Sequence, residues 1–199
     1  MACVVPAGTI AAVMETTAAD EIERLAEELL AGVPAWIWNG DELPVPVEDI
    51  ADSCCGLLVR DVDAMDDAPG CPPLGAGQSL SGLLLPALGQ IWINADEARQ
   101  WPPRRRFTIG HELGHWILHQ RERTALFCRH GSVEEEAAPA ERPPLDPIEE
   151  EANHFAAALL MPASLIRRHY ERTGGDFEEL CEAFRSSGAA MGRRLHQVI

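Results

Sequence analysis

The stretch that decides the fold of this chain reads RRRFTIGHELGHWILH and runs from Arg104 to His119. Large apolar side chains recur in it at the spacing of a helix that buries one face. They are Phe107, Ile109, Leu113, Trp116, Ile117 and Leu118. Pro102 and Pro103 precede the stretch, where they end one element and begin the next. The pattern therefore predicts a helix packed into the core.

Two histidines and a glutamate lie on this helix in the order His-Glu-x-x-His. Residues four apart share a helix face, so the imidazoles of His111 and His115 can point at one metal ion. Such nitrogen donors suit Zn²⁺, and Glu112 is placed to act as the general base. A surface helix with two chance histidines is the alternative. It is disfavoured because polar side chains on a buried helix need partners.

Gly114 lies inside the same helix. A glycine in a helix interior costs about 1 kcal/mol relative to alanine. That cost is understandable if another segment, or a substrate, must approach the helix closely at this position.

A zinc site of this kind needs a third protein ligand. The longer metzincin motif would require glycine at position 118 and histidine at position 121, where the chain has Leu118 and Arg121. His119 continues the four-residue series, but eight positions along a helix separate it from His111 by about 12 Å. We therefore expect a capping or packing role for His119.

The next strongly helical segment runs from Asp146 to Met161 and carries three consecutive glutamates. Its apolar stripe consists of Ile148, Ala152, Phe155 and Leu159. Glu151 falls inside that stripe and is predicted to be the third ligand. Glu150 points away from the stripe and Glu149 lies near its boundary, and for both the alternative is a solvated face that favours the helix N-terminus. His154, three positions after Glu151, stays open as a competing ligand or as a residue that supports one.

The remaining pattern predicts an α+β fold. Residues 1–17 are expected to be a flexible segment and residues 18–199 a single domain, with an acidic, proline-rich insertion at 120–146. We interpret the insertion as a mobile loop or, alternatively, as a lid that recognises a partner. Strands are predicted at 56–62, 79–85 and 89–94.

The chain has 16 basic and 32 acidic residues, for a formal net charge of −16. An acidic surface repels phosphate backbones, so no direct binding of nucleic acid is expected, although a cationic polypeptide would be attracted. No stretch approaches the ~20 apolar residues that span a bilayer. The six cysteines form no CxxC pair, which favours a reduced, cytoplasmic protein.

Taken together, RRRFTIGHELGHWILH and EEEANHFAAALLMP resemble the ImmA/IrrE-type zinc metallopeptidases. The resemblance implies a zincin-like fold, with a small mixed or antiparallel three-stranded sheet packed against the His-Glu-x-x-His helix. It implies His111, His115 and Glu151 as zinc ligands, and Glu112 as the catalytic base. It also implies that the strand Ile91–Asn94 is an edge strand that binds an extended substrate.

Members of that family cleave helix-turn-helix repressors, so a protein substrate of this kind is expected. The alternative is a zinc-binding module that binds a regulatory protein without cleaving it, and the presence of Glu112 argues against this. Tyr170 and His154 are weaker candidates for stabilising an oxyanion. Cys128 and His130 are weak candidates for a second metal.

Overall fold

The computed structural model describes residues 17–63, 65, 78–119, 126–131 and 146–199. The segment predicted to be flexible, residues 1–17, lies outside the described residues except for its last position. The helices and strands are α1 (Ala18–Ala31), α2 (Val47–Cys55), β1 (Leu58–Val62), β2 (Gln78–Leu85), β3 (Gln90–Asn94), α3 (Ala95–Gln100), α4 (Pro102–Leu118), β4 (Leu126–Gly131), α5 (Pro147–Leu160), α6 (Ala163–Thr173), α7 (Phe177–Phe184) and α8 (Gly188–Val198). The predicted α+β class is confirmed. No helix within the described ranges is both long and apolar enough to cross a membrane.

The sheet is mixed and has four strands in the order β1-β3-β2-β4. β3 runs parallel to β1 and antiparallel to β2, and β4 runs antiparallel to β2. The predicted number of three strands is corrected by β4, which lies inside the 120–146 segment interpreted as a loop. Polar composition suggested a loop there, but pairing with β2 gives the backbone of β4 the hydrogen bonds that water would otherwise supply.

The strand that was expected at the sheet edge is an inner strand. β3 pairs on one side with β1 and on the other with β2, so both rows of its backbone groups are already used. Its alternating pattern arises because Ile91 and Ile93 are buried in the main core. The expectation that β3 binds an added strand is therefore wrong.

Helix α4 is buried in its middle on all sides. Every residue from Thr108 to His115 is buried, because α4 contacts α5 on one side and β2 and β3 on another. This explains why polar side chains of the His-Glu-x-x-His motif are among the few buried polar groups.

Helices α4 and α5 approach each other along a seam of small residues. A Cβ atom added to Gly114 would lie 3.0 Å from both the Cα and the carbonyl oxygen of Ala152. One turn earlier, a Cβ on Gly110 would lie 3.3 Å from the Cβ of Ala156. We call these four residues the glycine seam. The close contact expected at Gly114 is therefore made by α5.

On the side that faces α1 and α8, α5 is held by a buried ion pair. Arg194 of α8 is 1% exposed and donates hydrogen bonds to the Glu23 carboxylate of α1 and, at 2.8 Å, to the Met161 carbonyl after α5. The Nε2 atom of His154 on α5 lies 2.9 Å from Glu23 Oε1. The group joins α1, α5 and α8, and it places His154 away from the His-Glu-x-x-His motif.

We predict that Gly114→Ala destabilises the protein by about 1–3 kcal/mol, the usual cost of overpacking. Alanine is the better helix former, so the sign depends on the steric conflict with the backbone of α5. Gly192→Ala on α8 is the matched control, because no atom beyond the neighbouring backbone of its own helix lies within 4 Å of the added methyl group. This variant should gain up to about 1 kcal/mol. Urea unfolding of both variants checks the prediction, and a stabilised Gly114→Ala protein would contradict the glycine seam.

We also predict that Glu23→Gln lowers the free energy of unfolding at pH 7 by about 3–5 kcal/mol, because it leaves Arg194 buried without a charged partner. Burial alone raises the pKa of Glu23, but hydrogen bonds from Arg194 and His154 outweigh it and lower the pKa from 4.5 to about 2. The contribution is therefore complete above pH 4.5 and is lost as the pH falls through about 2. Glu27→Gln, one turn along α1 and exposed, should show neither effect in the same pH-dependent unfolding series.

Candidate metal centre

The two histidines of the motif bring their Nε2 atoms together. These atoms lie 3.0 Å apart, and the side chains of His111 and His115 are 3% and 0% exposed. The rings are nearly perpendicular, at 85°. The one-turn spacing on α4 thus aims both imidazoles at a single point, as the sequence predicts.

Glu149 of α5 completes this cluster. Its Oε2 lies 3.2 Å from His111 Nε2, and its Oε1 lies 3.4 Å from His115 Nε2. Within the described part of the chain, His111, His115 and Glu149 form the group of three side chains able to hold a metal ion. Two ligands held about 2.0–2.1 Å from a tetrahedral ion are themselves about 3.3 Å apart. The observed separations fit that geometry.

The outer nitrogen of His111 is also held. Its Nδ1 lies 3.0 Å from the amide oxygen Oδ1 of Asn153. An oxygen acceptor at this position places the ring proton on Nδ1, so the Nε2 lone pair of His111 faces the Glu149 carboxylate. A cation between these groups removes the repulsion between a lone pair and an anion.

The protonation states of the cluster residues also suit the binding of a metal ion. Burial lowers the pKa of the His115 imidazole, which favours its neutral form. A neutral imidazole and an ionised carboxylate are the forms that bind metal.

Glu151 does not lie where the sequence placed it. Its carboxylate is 43% exposed and its Oε2 lies 2.9 Å from Nε2 of His119, so it is not part of the three-residue cluster. The large apolar residues Phe155 and Leu159 of α5 lie in the main core and do not mark the side that faces the motif. The side that faces α4 consists instead of Glu149, Ala152, Asn153 and Ala156, at positions i, i+3, i+4 and i+7.

Glu112 is fully buried between α4 and β2. A Cβ added to Gly82 of β2 would lie 2.6 Å from Glu112 Oε1 and 2.4 Å from Thr108 Cγ2. Glycine at position 82 therefore leaves the space in which the carboxylate of Glu112 lies. The side chain adjoins the His111–His115 pair in sequence and is enclosed by the sheet.

Residues 78–196, more than half of the chain, match the model of the peptidase M78 family, described as an IrrE N-terminal-like domain. The chain belongs to this family. The resemblance inferred from the two motifs is thus confirmed, and with it the peptidase type of fold.

Among solved structures, a Mycobacterium tuberculosis transcriptional regulator is similar to this M78-family chain. The two are 18% identical with a TM-score of 0.49, and the alignment covers 89% of this chain and 46% of the regulator. The M78-family chain thus spans about half the length of that protein. A search of curated proteins finds no significant match.

The weaker candidates lie elsewhere or outside the described residues. Tyr170 is on α6, and its ring packs against Gly175, where an added Cβ would lie 2.9 Å from the ring carbon Cζ. His154 contacts Glu23. The side chains of Cys128 and His130 lie outside the described part of the chain. Glu149 and Asn153 were missed by the sequence reasoning, although the spacing of small residues in α5 could have found them.

The geometry predicts that Glu149→Gln weakens zinc binding by more than about 100-fold, since supporting residues alone contribute 10–100-fold. Glutamine keeps the size of the side chain but removes the anionic donor. Competition with a chromophoric chelator measures the affinity, and the exposed neighbour Glu150→Gln is the matched control. An unchanged affinity in Glu149→Gln, together with a complete loss in Glu151→Gln, would return the ligand role to Glu151.

Proposed function

We propose that this M78-family chain is a zinc-dependent metalloendopeptidase that hydrolyses a peptide bond in a protein substrate, with a helix-turn-helix repressor as the expected substrate class. The observation that carries the proposal is the buried carboxylate of Glu112, next in sequence to His111 of the cluster formed by His111, His115 and Glu149. A metal centre that only stabilises the fold has no use for an adjacent base.

The proposed ligands are His111, His115 and Glu149, which replace the sequence-based set that contained Glu151. Two imidazoles and a carboxylate are a donor set used by catalytic zinc sites, which have three protein ligands. Structural zinc sites are usually closed by four ligands, most often with thiolates. The donor set therefore favours zinc in a catalytic site over the alternative of a non-cleaving zinc module.

When bound, zinc supplies Lewis acidity that polarises the scissile carbonyl and acidifies the attacking water. Glu112 takes up the proton of that water on a carboxylate oxygen and later delivers it to the nitrogen of the leaving amine. Its burial between α4 and β2 keeps bulk water away from this carboxylate. His111 and Glu149 are held by α4 and α5, and the glycine seam keeps those helices in contact.

We assign the binding of an extended substrate to β4 instead of β3. β4 borders β2, the strand that carries Gly82 beside Glu112. Among the described residues β4 pairs with β2 alone, so its other edge can accept a peptide strand.

The repressor is proposed as the substrate from the resemblance to ImmA/IrrE-type metallopeptidases. The charge of −16 supports a cationic protein partner and disfavours direct contact with nucleic acid. A repressor substrate would place the reaction in the cytoplasm.

We predict that Glu112→Gln lowers the rate of cleavage by about 100- to 10,000-fold, the usual contribution of a general base, while zinc stays bound. Zinc-loaded protein is incubated with extract of its host cells, and the new protein N-termini are labelled and identified by mass spectrometry. Wild type and Glu150→Gln should produce the same set, and Glu112→Gln should not. If wild type and Glu112→Gln produce identical sets while both hold zinc, the non-cleaving module is the correct function.

A further inference from the structure

A chain of hydrogen bonds leads away from the metal centre through His115. The Nδ1 atom of His115 lies 3.1 Å from Nδ1 of His119. The Nε2 atom of His119 lies 2.9 Å from Oε2 of Glu151. These contacts connect two residues that the catalytic scheme does not use to one proposed ligand.

The donors and acceptors of this chain can be assigned from its outer end. The Glu151 carboxylate is an acceptor, so Nε2 of His119 carries a proton and donates it to Glu151. A neutral imidazole has a single ring proton, which leaves Nδ1 of His119 as an acceptor. Nδ1 of His115 must then be the donor in their contact, and the Nε2 lone pair of His115 points at Glu149.

The position of His119 supports this assignment. It follows α4 directly, with a non-helical φ of −121°, and its backbone N–H donates to the His115 carbonyl at 2.9 Å. Its side chain is 9% exposed. The end of α4 therefore folds the His119 ring back over His115, where water has little access to compete for Nδ1.

We propose that His119 and Glu151 are positioning residues, which fix the tautomer and the ring orientation of His115 for metal binding. The inference rests on the metal centre of the proposed function. His119 makes the contact with His115, and Glu151 acts only through His119. Asn153 holds His111 separately through its own hydrogen bond. Each imidazole is thus held by a partner of its own, as is usual for histidine ligands of metals.

Measurements of zinc affinity test whether Glu151 acts on His115 through His119. His119→Ala and Glu151→Ala should each weaken zinc binding by about 10- to 100-fold. The double variant should bind zinc as His119→Ala does, because Glu151 has no route to His115 once the ring is gone. Glu151→Gln keeps an acceptor oxygen for His119 and should recover most of the affinity, and Glu150→Ala is the matched control. The thermal midpoints of the metal-free proteins show whether a variant has lost its fold.

A spectroscopic measurement separates positioning from a simple link between α4 and α5. In zinc-loaded protein labelled with ¹⁵N-histidine, two-bond ¹H–¹⁵N correlations report which ring nitrogen carries the proton. We expect His119 protonated at Nε2 and His115 at Nδ1, and we expect Glu151→Ala to lose the single His119 tautomer. A His119 proton on Nδ1 in the wild type, or unchanged zinc affinity in both alanine variants, would overturn this inference alone. A wild-type protein that binds no zinc would overturn the proposed function as well.

Discussion

Helices α4 and α5 meet at the glycine seam with no room for a side chain between Gly114 and the backbone of Ala152. The donors come from both helices, two imidazoles from α4 and one carboxylate from α5, so their spacing depends on the spacing of the helix axes. A wider separation would move the Glu149 carboxylate away from the two imidazoles, which now lie 3.2 and 3.4 Å from it. The seam uses small residues because dispersion and shape, not large apolar area, hold two helices at this distance.

The close approach of α4 and α5 explains how much of the site could be predicted from the sequence. His111, Glu112 and His115 lie on one helix, and helix periodicity alone relates them. The position of the Glu149 carboxylate depends instead on which side of α5 faces α4. Large apolar residues gave the wrong side because Phe155 and Leu159 fill the main core, whereas the closest approaches to α4 are made by Ala152 and Ala156. β4 was missed for a related reason, since its pairing with β2 is set by the neighbouring strand and not by its own composition.

Buried polar groups lie on two sides of α5, and on each side opposite or complementary groups are paired. Beside the glycine seam, carboxylate, imidazole and amide groups surround the proposed metal position. On the opposite side of α5, Glu23 and Arg194 neutralise each other in a place from which water is largely excluded. A single helix therefore has a polar contact on each side, and its apolar residues fill the space between. Such an arrangement fixes both the rotation and the height of α5, which apolar packing alone would leave less defined.

The order of elements along the chain separates the border of the sheet from the two helices that carry the proposed metal centre. The chain leaves α4, contributes β4 to the border of the sheet and returns to begin α5. The segment that carries the border strand is thus inserted between two helices whose contact does not depend on it. A change in the length or composition of this segment therefore leaves the residues of the proposed metal centre, which lie on α4 and α5, in their places.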